Sequence, residues 1–96
     1  MTRNGFAATA SAERYIQQLI KHWSHKMATT YADGVGLVPF SDVVNATLTA
    51  RDDGIAIALV TPTAEDDQRM REVIERHLDR FAFREAPLDY RWERAV

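Results

Sequence analysis

The sequence predicts an α+β domain in which one antiparallel sheet carries two helices on a single face. Two segments show the three- and four-residue apolar spacing of amphipathic helices. Four extended segments separated by turn sequences lie between them, and one further extended segment lies near each end of the chain. Because each helix has one apolar stripe to bury, this pattern favours a two-layer sandwich with the order β-α-β-β-β-β-α-β.

The length and charge of the chain restrict its class. With 96 residues and a net charge of −2, it fits a single domain over residues 1–96. A barrel of alternating strands and helices needs about 250 residues and is excluded. The slightly acidic balance argues against a nucleic-acid binder, which usually has a basic face. The absence of cysteine excludes disulfides, thiolate metal sites and cysteine nucleophiles.

The sequence shows no membrane segment and no signal peptide. No stretch approaches the roughly 20 consecutive apolar residues of a membrane span. Residues 1–10 lack the apolar run of a signal peptide. We therefore expect a cytoplasmic protein of bacterial type that has no membrane partner.

The first predicted elements are a strand over Phe6–Thr9 and a helix over Ser11–Met27. Ser11 is a candidate N-cap, because its hydroxyl can accept a hydrogen bond from an unpaired amide of the first turn. The buried stripe of this helix is predicted to contain Tyr15, Ile16, Leu19, Ile20, Trp23 and Met27.

A meander of four strands is predicted next, with hairpin turns at Asp33-Gly34 and Asp53-Gly54. Alternation along the third of these strands predicts one buried face and one more polar face. The four segments lie near Ala28–Tyr31, Val35–Val38, Val43–Ala50 and Ile55–Val60.

The second helix is predicted over Thr63–Arg80, with Thr61 or Thr63 as its cap. Asp66 and Asp67 fall in its first turn, where the helix macrodipole favours negative charge. Its apolar face is predicted to contain Met70, Val73, Ile74, His77, Leu78 and Phe81.

The last predicted strand follows Pro87 and places Leu88, Tyr90 and Trp92 on one face. The chain is predicted to leave the second helix in extended form, with the rings of Phe81 and Phe83 on one side. The aromatic residues assigned to the core are Trp23, Phe81, Phe83, Tyr90 and Trp92. The whole order resembles the TATA-binding-protein-like topology, an analogy of fold and not of function.

The strand directions predict how the helices are oriented. If hairpins join all four strands of the meander, the helices are antiparallel and their C-terminal ends lie at opposite ends of the helical layer. His22 and His25 are near the end of the first helix and His77 near the end of the second. We therefore expect these two groups to lie well apart. If Val35–Val38 is a loop instead, the helices become parallel and the two groups meet.

The three histidines also have two interpretations. Three imidazoles suit zinc or iron. Their helical positions instead favour a mostly buried His77, hydrogen bonded through at least one ring nitrogen, with His22 and His25 exposed. Because of the predicted separation, we expect no intramolecular metal site and no cofactor. A small enzyme using His77 or His25 as a general acid or base is the alternative.

Cationic residues gather near the predicted C-terminal ends of both helices. Such charges complement the helix macrodipole, and arginine can also bind a carboxylate or phosphate through two hydrogen bonds. The cluster is therefore either stabilising surface charge or a site for a small anionic ligand. The candidate ligand-binding residues are His22, His25, Lys26, His77, Arg80 and Arg84; no catalytic residue is assigned.

Two parts of the chain carry a family resemblance: Arg14–Leu19 leading into Lys21–Lys26, and His77–Glu85 with Tyr90–Trp92. They resemble the bacterial domain-of-unknown-function 2218 family over almost the whole chain. The chain departs from that family at Val38–Asp42, where a Phe-Pro-Phe-Gly hairpin is usual. The resemblance implies a connection to iron or siderophore metabolism. Some members are labelled dihydroxyheptenedioate aldolase, but that enzyme is a far longer metal-dependent barrel, so the label does not fit this length.

We therefore predict a non-catalytic binding or accessory module, with a small anionic ligand as its candidate partner. A third interpretation is an interaction protein that forms a homodimer. Asn45, Thr47 and Thr49 make the open face of the sheet only mildly polar. A sheet face without helices must be either solvated or paired with another subunit.

Overall fold

Six strands and two helices follow one another in the predicted order in a computed structural model that describes residues Met1–Val96. The helices are α1 (Ala12–Trp23) and α2 (Ala64–Phe81). The strands are β1 (Thr2–Ala8), β2 (Thr30–Ala32), β3 (Val35–Pro39), β4 (Asn45–Arg51), β5 (Gly54–Val60) and β6 (Asp89–Trp92). The predicted α+β class is confirmed.

All six strands form one antiparallel sheet in the order β2-β3-β4-β5-β1-β6. The two helices run antiparallel, as predicted. Trp23 at the end of α1 packs against His77 in α2, with ring centroids 4.9 Å apart. Tyr15 near the beginning of α1 donates a hydrogen bond of 2.6 Å to Glu85, beyond the end of α2. The end of α1 therefore lies beside His77, and the beginning of α1 lies beside the residues that follow α2, as expected for antiparallel helices.

The core lies between the helices and one face of the sheet. The apolar stripes of both helices supply fully buried side chains, and the facing positions of the sheet strands supply the rest. The largest of these side chains are Ile16, Leu19, Val38, Leu48, Ile55, Leu59, Ile74 and Leu78. Alternation along β4 and β5 is the reason that only one face of the sheet is apolar and buried.

Both predicted hairpins form, with different turn chemistry. Asp33 and Gly34 join β2 to β3 with φ angles of 52° and 78°, the left-handed pair that a two-residue turn between antiparallel strands prefers. At the second hairpin, Asp52 and Asp53 form the loop, and Gly54 is already paired with Arg51 in the sheet. Gly54 does not have a positive φ angle. Its role is therefore not the one that the Asp-Gly pattern indicates.

The helix ends differ from the prediction in two details and agree with it in a third. α1 ends at Trp23 rather than Met27, because residues 24–26 form a turn in which Lys26 N–H and Met27 N–H both bond to the Trp23 carbonyl. The Ser11 side chain does not cap α1; instead, Ser11 N–H donates to Thr9 Oγ1 over 3.1 Å. Thr63 does cap α2, accepting a hydrogen bond of 3.0 Å from Asp66 N–H.

Phe83 does not belong to the core, contrary to the prediction. Residues 82–85 form a turn rather than an extended segment, so Phe81 and Phe83 do not share one side as residues two apart do in a strand. Phe81 is half-buried against the core, whereas the side chain of Phe83 is 71% exposed. Arg84 lies over the Phe83 ring, 5.6 Å from its centroid.

A buried carboxylate ties α2 to the sheet. Asp67 is 1% exposed and accepts hydrogen bonds from Arg3 Nε at 2.8 Å and from Arg71 Nε at 3.0 Å. Arg3 also donates to the Glu93 carbonyl over 2.7 Å, which connects β1 to the segment after β6. Neither helix is both long and apolar enough to cross a membrane.

Candidate functional site

A cavity of about 390 Å³ opens between the end of α1, the β3–β4 loop and the middle of α2. Its volume is within the range of small-molecule sites. We name it the α1–α2 cavity. It is lined by the apolar residues Trp23, Met27, Phe40, Val44, Met70 and Val73, and by Lys26, Ser41, Arg69 and His77.

Aromatic rings form one wall of this cavity. The rings of Trp23 and Phe40 meet edge to face, with centroids 4.9 Å apart and an interplanar angle of 76°. Trp23 also contacts the His77 ring, at a centroid distance of 4.9 Å. Trp23 is 4% exposed and also belongs to the core, so the wall is held in place by the packing behind it.

His77 has the hydrogen bond that the sequence predicts, but it is less buried than predicted. Its Nδ1 lies 2.7 Å from the Val73 carbonyl oxygen. Because a carbonyl only accepts, Nδ1 carries the proton in this bond, and Nε2 is the nitrogen left to meet a ligand. The residue is half-buried because it lines the cavity instead of facing the packed core.

His22 and His77 meet, which contradicts the expected separation of the two helix ends. Their ring centroids are 5.6 Å apart. The helices are antiparallel, but α1 has 12 residues and α2 has 18, and the last turn of α1 lies beside the fourth turn of α2, which contains His77, rather than beside its first turn. His25 lies outside α1 and is exposed. No three His, Asp or Glu side chains are arranged to hold a metal ion.

The surroundings of His22 disfavour its charged form. Burial lowers the pKa of His22 below its ordinary value, and neighbouring positive charges lower that pKa further. These charges belong to His77, Arg80, Lys26 and His25. The structure therefore holds the His22 ring in its neutral form more strongly than water does.

The lowered pKa of His22 predicts a loss of stability at mildly acidic pH. Its unfolded-state pKa is about 6.5, so the unfolded chain takes up a proton there before the folded chain does. The contribution of His22 to stability should be complete above about pH 6.5 and decrease as the pH falls through the folded-state pKa. Replacing His22 with glutamine should remove this part of the decrease in melting temperature between pH 7 and pH 5.

Thermal denaturation followed by circular dichroism at both pH values measures this effect. His25→Gln is the matched control, because that ring is exposed beyond the end of the same helix; it should keep the pH dependence of the unmodified chain. Equal pH dependence in His22→Gln and His25→Gln would contradict the prediction.

The structure separates the six predicted ligand-binding residues. Lys26 and His77 line the α1–α2 cavity, and His22 lies directly behind His77. Arg80 is exposed and acts on His22 through its charge. Arg84 lies elsewhere, at a smaller cleft of about 210 Å³ that also contains Phe83.

Arg69, Phe40 and Ser41 are cavity residues that sequence reasoning missed. Arg69 could have been found, since Arg69, Val73 and His77 recur at four-residue intervals on one face of α2. Phe40 and Ser41 follow β3 in a loop, and no periodic pattern places a loop residue. Arg69 has one ion pair, to Asp66 over 3.0 Å, and its side chain is 62% exposed. Such a pair contributes little, so Arg69 remains able to bind another anion.

Comparison with known proteins gives one family and one solved structure. A bacterial family described as "Uncharacterized protein conserved in bacteria (DUF2218)" matches residues 5–93. The NMR structure of PA4090 from Pseudomonas aeruginosa is similar, with a TM-score of 0.81 and 31% sequence identity over 98% of this chain and 96% of that one. No curated protein matches the chain.

Proposed function

The chain belongs to the bacterial DUF2218 family, and we propose that it is a cytosolic binding protein that holds a small aromatic anion in the α1–α2 cavity. The observation that carries this proposal is the combination of one apolar cavity of about 390 Å³ with two cationic side chains and one histidine. Ligand sites commonly combine an apolar lining with a few polar groups that set orientation.

The lining favours a flat ligand. Trp23, Phe40 and His77 present ring surfaces along one wall, and Met27 and Met70 supply adaptable side chains beside them. A planar aromatic ring can stack on or lie edge-on to such a wall, which adds a geometric preference to simple burial of apolar area. A ligand with a saturated hydrocarbon chain would gain only the free energy of burying its apolar area.

The polar groups favour an anion. Lys26, in the turn after α1, and Arg69, in α2, are exposed residues that line the same cavity. A guanidinium can bind a carboxylate through two parallel hydrogen bonds, and an ammonium adds a second charge. The Nε2 atom of His77 is the remaining ring nitrogen, and it can accept a hydrogen bond from a ligand hydroxyl.

The histidine environment supports binding over catalysis. The partner of His77 Nδ1 is a backbone carbonyl and not a carboxylate. No acidic side chain lines the α1–α2 cavity. The cavity therefore lacks the pair of a base and an orienting acid that general acid–base catalysis commonly uses.

The connection to iron or siderophore metabolism remains part of this proposal. Catechol carboxylates combine a flat ring, a carboxylate and metal-binding hydroxyls, so they match both the aromatic wall and the cationic side chains. We therefore include 2,3-dihydroxybenzoate among the probes, beside benzoate and inorganic phosphate.

Calorimetric titration of the full chain with these probes tests the proposal. We expect saturable binding of the aromatic carboxylates, and weaker binding of benzamide, which lacks the charge, and of acetate, which lacks the ring. Replacing Arg69 with alanine should weaken benzoate binding about tenfold, since a charge-assisted hydrogen bond is worth about 1.5–3 kcal/mol.

Arg76→Ala is the matched control, because Arg76 is exposed on the same helix and does not line the cavity. Its affinity should equal that of the unmodified chain. The absence of saturable binding of any aromatic carboxylate up to about 10 mM would overturn the proposal. Equal weakening in Arg69→Ala and Arg76→Ala would show that binding occurs elsewhere.

A further inference from the structure

The sheet face opposite the helices has no partner within the chain. Both helices pack on one face, and the other face carries small and mildly polar side chains over β1, β4 and β5. This open face is concave, with a depression of about 430 Å³ around Phe6, Thr49 and Ala56. The small side chains of Thr49 and Ala56 beside Phe6 leave room for a second sheet to pack about 10 Å away.

Two charged residues stand on opposite sides of this depression. Arg51 ends β4 and shares a row of the sheet with Gly54 and Ala8. Glu93 follows β6 and donates its backbone N–H to the Asn4 carbonyl over 2.8 Å. Glu93 therefore lies in the row of Asn4, which is two rows of outward-facing side chains away from the row of Arg51. Both residues line the depression and are exposed. Neither side chain has an ion-pair partner within the chain.

The register makes these two charges symmetric about the centre of the face. The middle row contains Thr49, Ala56, Phe6 and Arg91 in pairing register, and Arg91 is ion-paired with Asp89 in the row of Arg51. Arg51 lies one row above it on β4, and Glu93 lies one row below it beyond β6. The strands β5 and β1 separate them. If a second copy is placed by a two-fold axis that runs parallel to the sheet and passes over the Phe6–Ala56 pair, Arg51 of each copy faces Glu93 of the other.

We infer that a second copy of this chain packs on the open face, with Arg51 of each copy against Glu93 of the other. Such an isologous contact satisfies both unpaired charges twice and covers the depression. The helix-side cavity remains accessible, so this inference is independent of the proposed ligand.

The size of the face predicts a weak dimer. Three strands of seven residues and three shorter strands of three to five residues, at about 4.8 Å spacing and about 3.3 Å per residue, cover roughly 520 Å² per subunit. A standard stable interface covers about 800 Å² per partner. We therefore expect a dissociation constant in the micromolar range, so that the monomer and the dimer are both populated at about 10–100 µM.

Sedimentation equilibrium from about 5 µM to about 1 mM tests the inference. The unmodified chain should shift from monomer to dimer across this range. Arg51→Glu and Glu93→Arg should each weaken association more than tenfold, because each places like charges together at both contacts. An equimolar mixture of the two variants should restore the dimer, since a mixed pair has opposite charges at both contacts.

Lys21→Glu is the control, because Lys21 is exposed on α1, on the helix side of the sheet; it should associate like the unmodified chain. Both test positions are exposed, and circular dichroism verifies that each variant is folded. A monomer throughout the range overturns the inference. So does association that persists in both single variants, or a mixture that remains monomeric.

Discussion

Replacing Gly54 with alanine should lower the free energy of unfolding by about 3 kcal/mol. Gly54 begins β5 and pairs with Ala8 on one side and Arg51 on the other. An added Cβ atom would overlap the backbone carbonyl oxygen of Ala7 and lie 2.5 Å from Cζ of Phe6. The phenyl ring can rotate, but the carbonyl belongs to the β1–β5 ladder. The strands β1 and β5 must therefore separate locally.

Urea denaturation followed by far-ultraviolet circular dichroism measures this loss. Gly36→Ala is the matched control, because Gly36 is also a buried strand glycine without a positive φ angle. The atoms nearest to its added Cβ would belong to the side chains of Ile20 and Ile16, at 2.9 Å and 3.0 Å. The end of Ile20 can move, so Gly36→Ala should cost about 1 kcal/mol. A loss at Gly54 no greater than that at Gly36 would contradict the overlap with Ala7.

Gly54 also shows that a sequence pattern can predict the correct hairpin for an incorrect physical reason. The Asp53-Gly54 pattern predicts a hairpin, and a hairpin forms. The loop nevertheless consists of Asp52 and Asp53, and glycine is required one position later by the close approach of β1. That approach depends on β1 lying between β5 and β6, a strand order that local sequence patterns do not encode.

The helices could be predicted because their evidence is periodic and local. The stripe of α1 is buried at Tyr15, Ile16, Leu19, Ile20 and Trp23, all on the predicted face. The end of α1 could not be placed equally well. Met27 keeps the apolar spacing, yet it lies after a turn and packs as a half-buried residue. Periodicity alone cannot distinguish one more helical turn from a turn of the chain that returns an apolar side chain to the same surface.

The candidate site was predictable only in part for a related reason. Counting strands gives the direction of each helix, but the stagger between helices depends on their exact lengths. That stagger brings His22 to His77 and leaves Arg84 at a different cleft. The remaining wall comes from Phe40 and Ser41, which lie in the loop between β3 and β4. Loop residues reach a cavity through tertiary packing and carry no periodic pattern of their own.

Asp67 should be the most sensitive charged position in the chain. In the sequence it looks like an ordinary acidic residue in the first turn of a helix. In the structure it is 1% exposed and bonded to both Arg3 and Arg71. Replacing Asp67 with alanine should lower the free energy of unfolding by about 3 kcal/mol, because it leaves two partly buried guanidinium groups without their anion. The arginine side chains are 20% and 28% exposed, so water can compensate part of the loss.

The control is Asp89→Ala, which removes an ion pair of 3.3 Å to Arg91 between side chains that are 60% and 80% exposed. Exposed pairs contribute little, so this change should cost no more than about 0.5 kcal/mol. Asp67→Asn distinguishes charge from packing, because it keeps the volume and one acceptor oxygen while removing the charge. We expect it to lose more than Asp89→Ala and less than Asp67→Ala in the same urea titration. If Asp67→Ala and Asp89→Ala are equally stable, the Asp67 cluster does not hold α2 against β1.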